Sequence, residues 1–202
     1  MKNQPIGITL STLLFAGAAF GAQYKIDASH SNIGFKVKHL AISTVRGNFG
    51  QFEGTLEFNP EKQVLENAKA TIVTKSIDTK EPKRDKHLAS EDFFGAEKHP
   101  KITFDAKEAK LKKGKGKVKG NLTIKGVTKP VTLDIEYQGA AKDPWGNEKV
   151  AFTGSTTINR KDFDIKWNEK LDNGGLVVSE EVDIILDIEA NLVKTDNKSK
   201  KS

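Results

Sequence analysis

Apolar and polar residues alternate with period two along most of the chain. That is the pattern of β-strands that bury one face and wet the other. Ile33, Phe35, Val37 and His39 share one face, against Asn32, Gly34, Lys36 and Lys38. The same alternation runs through 102–106, 118–124, 131–137, 150–158 and 182–192, with Ile185 the one break in the last. Two further segments are less regular. Within 45–58, Phe49 and Phe52 stand three apart, so one phase cannot bury both. Gly47, Gly50 and Gly54 offer positions for a bulge or bend that changes the phase. Segment 68–77 is rich in β-branched residues and weakly patterned. These readings give eight strands, and the short turn signals around Gly114 and between Gly126 and Pro130 make neighbours antiparallel. Segment 81–100 is charged and lacks the period. It reads as one or two short helices ending before Pro100, with Ser90 and Asp92 as candidate caps.

Eight antiparallel strands with one apolar face each hide that face by closing into a barrel, which also removes free edges. The interior of such a barrel is either filled by side chains or left to one small ligand. The inward positions mix Phe35, Phe104 and Phe152 with Gly120, Gly154, Ala106 and Ala190. Small residues there leave room for a ligand, and tight packing in a tapered barrel accounts for the pattern equally well.

The first residues change the picture of where the fold begins. Lys2 is followed by an uncharged, apolar run from Ile6 to Phe20, and Ala19 and Gly21 suit cleavage after Gly21. Residues 1–21 read as a secretory signal peptide, too short to span a bilayer, which places the mature protein in the periplasm. The domain is then 22–193, followed by a basic, disordered tail at 194–202. Signal segment and tail hold most of the net charge of +6 at pH 7. In the domain the charges are interspersed, and the lysine-rich 107–119 has no interleaved aromatics, so nucleic acid is not an expected partner.

Candidate chemistry is sparse. Cysteine is absent, which removes disulfides and thiol chemistry. His30 and His39 are nine apart and fall on opposite faces of a regular strand, while His87 and His99 lack metal-ligand spacing, so no metal is expected. Arg84, Asp85 and His87 form the one cluster that looks catalytic. A charged network pinning the helical insert to the barrel rim explains it better. With no nucleophile motif and no phosphate loop, no catalytic residue is assigned.

In order along the chain stand Ile26-Asp27-Ala28-Ser29-His30-Ser31, Ile33-Gly34-Phe35, Val37-Lys38-His39-Leu40 and Val45-Arg46-Gly47 with Phe49, Phe52 and Gly54. Then come Ser76-Ile77-Asp78-Thr79, Arg84-Asp85, His87-Leu88, Asp92-Phe93-Phe94, and His99-Pro100 with Ile102 and Phe104. Gly120 to Ile124, Gly126 to Val131, and Asn159-Arg160 with Asp162-Phe163 complete the series. With these matches the chain resembles the YceI-like family of exported bacterial proteins over essentially its mature length. It departs at Asp164, where the family usually has Gly, and at His99, often Tyr. The resemblance implies a lipocalin-like, all-β, eight-stranded antiparallel barrel with a short helical insert. It also implies a polyisoprenoid or quinone-like lipid in an elongated pore, and no other cofactor.

The residues fit that expectation. Ile33, Phe35, Val37, Phe104, Leu122, Leu133, Phe152 and Ile184 give an inner wall nearly free of polar groups, with Gly154 as the space between them. Phe49, Phe52, Phe93, Phe94, Phe163 and Trp167 are placed to close an end or line the pore. His39 continues the inward phase, either as a satisfied histidine at the barrel end or as a polar contact to a lipid head. The expected function is a periplasmic binding or carrier protein for a long-chain apolar lipid, in transient contact with a membrane. The sequence sets no oligomeric state and is compatible with a dimer. Two other readings stand beside this one. One is an enzyme on a lipid or small exported substrate, using His39 or the Arg84 cluster. The other is a partner module for a membrane redox protein.

Overall fold

The structure is a computed structural model that describes residues 21–169 and 176–194. Of the expected signal segment only Gly21 lies within them, and of the expected tail only Lys194. The first strands are β1 (Ala22–Ile26), β2 (Asn32–His39), β3 (Ser43–Phe49), β4 (Phe52–Asn59), β5 (Val64–Val73) and β6 (Ile77–Asp78). Helix α1 (Pro82–Ala89) follows. The second half holds β7 (Lys101–Ala106), β8 (Ala109–Lys110), β9 (Lys115–Ile124), β10 (Val127–Lys142), β11 (Glu148–Asn159) and β12 (Val178–Leu192). Antiparallel pairing runs β1-β4-β5-β7-β9-β10-β11-β12, and β12 returns to β1 from Tyr24↔Leu192 to Ile26↔Ala190. This closes an eight-stranded antiparallel barrel. Among the described residues no helix is long and apolar enough to cross a membrane.

The long β12 also pairs β2, with Ile184 opposite Phe35. β1 and β2 therefore lie end to end along one side of β12, parted by the loop 27–31. β3 and β4 are likewise end to end. The bend between them falls at Gly50 and Gln51, where Gly50 N donates to Ser76 O (2.9 Å) and Val73 N donates to Gln51 O (2.9 Å). The bent strand thus stays paired, and Phe49 and Phe52 both turn to the same interior cluster. This is the change of phase that their spacing requires.

Helix α1 bears out one of the two expected caps and corrects the other. Its N-cap is Glu81, whose side chain accepts from Lys83 N (3.0 Å), with Pro82 at the first helical position. Ser90 closes the C-terminal end, its Oγ donating to His87 O (2.7 Å). Ser90 is thus one of the expected caps, whereas Asp92 caps no described helix, because Phe93 and Phe94 fold back against the barrel in successive turns.

The interior divides into two clusters. At one end Tyr24, Leu56, Phe58, Ala106, Val118, Val150, Phe152 and Ala190 pack densely. Phe58 meets Tyr137 and Phe152 at ring-centroid distances of 5.0 Å each, so aromatic rings plug this end. At the other end Ile33, Phe49, Ile72, Phe93, Ile102, Leu122 and Phe163 gather under the insert. The small inward residues do not leave the room expected of them. A methyl group on Gly120 would stand 2.5 Å from the Phe104 ring, and one on Gly154 would stand 2.6 Å from Ile135 Cδ1. Ala106 and Ala190 are fully buried in the dense end. These positions are small because a neighbour's side chain already fills the space.

Candidate functional site

The hollow lies between the aromatic plug and the insert, and it has a volume of about 250 Å³. Alternating residues of the strands supply its wall, because every second side chain of a closed barrel points inward. Ile33, Phe35 and Val37 come from β2, Phe104 from β7, Leu122 from β9, Leu133 from β10, Phe152 from β11 and Ile184 from β12. Leu88, Phe93 and Phe94 of the insert face it from above. Phe94 meets Phe49 edge-on, with centroids 6.0 Å apart. Among the described residues, only Thr55, Lys69 and Arg160 bring polar side chains to the wall. Such a space offers no proton donor or acceptor in quantity, and hydrocarbon is the matter it favours.

Most of the residues expected on the wall are there: Ile33, Phe35, Val37, Phe49, Phe93, Phe94, Phe104, Leu122, Leu133, Phe152, Phe163 and Ile184. Four are placed otherwise. Phe52 packs against the cluster under the insert. Gly154 sits beneath Ile135 and Leu186. Trp167 packs outside the cavity, 5.0 Å from the His87 ring and 5.1 Å from Phe93. His39 ends β2, half-buried and paired with Val178, and is not on the wall.

Arg160 is a wall residue that the strand pattern does not reveal. It is 4% exposed, in the short 3-10 turn Arg160–Phe163 after β11. Its guanidinium donates to four carbonyls: Ser179 O (2.9 Å), Ile165 O (2.8 Å), Trp167 O (2.8 Å) and, more weakly, Val178 O (3.4 Å). Burial pushes its pKa down, opposed by the charge of Glu180. The side chain ties the 165–167 segment to the start of β12 at the cavity's rim.

The cluster that looked catalytic does not converge on a substrate position. Arg84 Nε donates to Thr79 Oγ1 (2.7 Å) and Nη2 to Thr79 O (2.8 Å). Asp85 accepts from Thr79 N (2.9 Å) and Thr79 Oγ1 (2.5 Å). His87 turns away to Asp92, Nε2 to Oδ2 2.9 Å, between the Phe93 and Trp167 rings. Together these bonds pin α1 to the strand end at Thr79, over the cavity.

A second polar group was invisible in the sequence because folding brings its members together across more than a hundred residues. Asp27, His30 and Glu189 place ligand-type atoms within 4.8 Å of one another. Lys149 Nζ already bridges the two carboxylates, at 3.2 Å from Asp27 and 2.6 Å from Glu189. The Ser29 hydroxyl, aided by His30, Lys149 and Asn191 and opposed by desolvation, holds the Asp27 carboxyl well below the usual carboxylate range. The group joins the loop 27–31 to β11 and β12 on the barrel wall.

Fold and cavity together define an antiparallel barrel with a hydrocarbon-lined interior site. The chain belongs to the YceI-like family: the YceI-like domain matches residues 24–190. A UPF0312 protein of Pseudomonas paraeruginosa is 40% identical over 192 residues, covering 94% of this chain and 97% of that one. The crystal structure of the Campylobacter jejuni YCEI protein superposes with a TM-score of 0.69 at 36% identity, covering 83% of this chain and 96% of that one. A polyisoprenoid binding domain from Saccharophagus degradans, implicated in plant cell wall breakdown, shares the fold. Its TM-score is 0.66 at 14% identity, with 86% of this chain and 99% of that one covered.

Proposed function

We propose that the protein is an exported carrier that holds a long-chain isoprenoid, or a similar amphiphilic lipid, and performs no chemistry on it. The observation that carries this reading is the hollow in the closed barrel, walled almost wholly by carbon. The polyisoprenoid-binding description of a protein with the same fold points the same way. Affinity needs no special group. Each buried methylene contributes about 0.8 kcal/mol, so an isoprene unit contributes roughly 3–4 kcal/mol before ordering costs. The volume bounds how the chain lies. At about 250 Å³ the cavity falls short of the ~300–1,000 Å³ of sites that enclose a whole drug-sized ligand. The inner end of a long chain fills it, and the rest leaves along the half-buried Val37, Val178 and Val182. Export to the periplasm belongs to the same proposal and rests on residues 1–21. The enzymatic reading finds no support in Arg84 and Asp85, whose bonds go to Thr79.

Ile184→Trp tests the reading, because it adds an indole to the wall opposite Phe35. Uptake of a prenyl alcohol from solution, followed by native mass spectrometry, is expected to be stoichiometric for the wild type. The folded variant is expected to take up little, or only shorter chains. Full uptake of the long chain by Ile184→Trp, or none by the wild type, would contradict the proposal.

A further inference from the structure

The β2–β3 hairpin ends in an apolar turn that local stereochemistry does not favour. Ile42 N donates to His39 O (3.2 Å), and both central residues have positive φ, 53° at Leu40 and 60° at Ala41. Two positive φ values mark a type I′ turn, whose favoured pair is Asn-Gly because other L side chains crowd the backbone there. Ile42, next in line, is 85% exposed. Leu176, 37% exposed, stands nearby, since Leu40 N donates to Val177 O (2.9 Å). A strained turn therefore displays Ile42 fully, and the half-buried Leu40 in part, to water, where Asn-Gly would be both more relaxed and more soluble. A sequence that breaks a local rule without local compensation points to function at that place.

Behind the turn lies the cavity. Val37 on the same hairpin and Val178 and Val182 on β12 line it and are only half-buried. Val178 pairs with His39 and Val182 with Val37. Leu40 and Ile42 thus stand at the tip of the hairpin whose Val37, beside Val178 and Val182 of β12, reaches the interior. We propose that this turn inserts into the hydrocarbon boundary of a phospholipid bilayer, and that lipid passes between bilayer and cavity along the valine lip. The inference rests on the carrier reading above. A bilayer suits the turn better than a protein does. The turn offers a few side chains, far short of the roughly 800 Å² per partner of a stable protein interface, whereas membrane insertion asks for no more. Lys38 and Arg46 are exposed on the flanks of the hairpin, where long cationic side chains meet phosphates while the tip goes deeper.

The test is co-sedimentation of the protein with vesicles of phosphatidylethanolamine and a minority of phosphatidylglycerol. The wild type is expected to bind, and to stay bound in about 0.5 M salt, because insertion is apolar and exposed charges are screened there within a few ångströms. Ile42→Ser should lower the vesicle partition about tenfold or more. Leu40→Asn/Ala41→Gly should lower it similarly while keeping or raising the melting temperature, since it supplies the favoured turn. That pairing of lost binding with undiminished stability separates docking from damage. Trp145→Ala serves as the comparison, because Trp145 is 83% exposed at the β10–β11 hairpin, at the other end of β11. The inference is overturned if the wild type ignores vesicles, if the turn variants bind as it does, or if only Trp145→Ala releases it. Uptake of prenyl alcohol from vesicle-free solution is measured on the same proteins. Uptake without docking removes this inference alone, and docking without uptake removes the carrier reading on which the passage of lipid rests.

Discussion

At Asp164 the backbone is left-handed, with φ +59°, and the family resemblance had marked this position as one where Gly is usual. An L side chain costs roughly 1–2 kcal/mol there, and glycine's greater freedom in the unfolded chain returns part of that. The Asp164–Lys166 pair is exposed and worth little. Asp164→Gly is therefore expected to stabilise the protein by up to about 1 kcal/mol in urea unfolding, and a loss of stability would show that the carboxylate matters more than the turn. Legibility at this scale was uneven. Inward residues of regular strands were readable because side-chain direction follows from period two. Arg160 was not, because its four carbonyl partners lie on two segments that only the fold brings together. Gly120 and Gly154 misled for a related reason: composition shows that a residue is small, and only packing shows whether Phe104 or Ile135 occupies the space it leaves.

Among the elements, strands with one wet face declared themselves by alternation, and the spacing of Phe49 and Phe52 called for the bend found at Gly50 and Gln51. The five-residue β1 and the two-residue β8 escaped, being too short to establish a period. The insert was recognised as an interruption, with Ser90 rightly among its caps, but the other cap is Glu81, before Pro82, and not Asp92. What fixes it over the cavity is Thr79, which is buried and bonded to both Arg84 and Asp85. Thr79→Val removes a hydroxyl that both donates and accepts. The expected cost is about 1–3 kcal/mol of stability, with faster amide exchange across 82–94 and faster release of bound lipid. Unchanged exchange in that segment would mean that the Phe93 and Phe94 contacts alone hold the insert in place.

For the whole molecule, barrel closure depends on the short seam between β1 and β12, and the Asp27 group sits at its end. Asp27 has a lowered pKa in the fold. Its contribution to stability is thus complete above the ordinary carboxylate pKa of about 4 and fades as pH falls below it toward the folded value. Lys149, raised chiefly by its bond to Glu189, behaves oppositely. Its contribution is complete below its unfolded pKa of roughly 10.4 and is lost as pH rises through the higher folded value. Asp27→Asn is accordingly expected to be less stable than the wild type at neutral pH, with the gap closing in acid. A gap that stays constant down to about pH 2 would contradict the linkage. The barrel itself could be read from the sequence, since eight one-faced strands must hide that face. Whether it was solid or hollow could not, and it is both, plugged by Phe58, Tyr137 and Phe152 at one end and open beneath the insert at the other. Volume of this kind is a property of packing, not of composition. The central claim is that this hollow holds a long apolar chain, and native mass spectrometry of protein purified without detergent tests it most directly. The account predicts a mass excess matching a long-chain isoprenoid-type lipid, lost on organic extraction and regained on adding that lipid back. Protein that carries no such excess, and acquires none when the lipid is supplied, would contradict it.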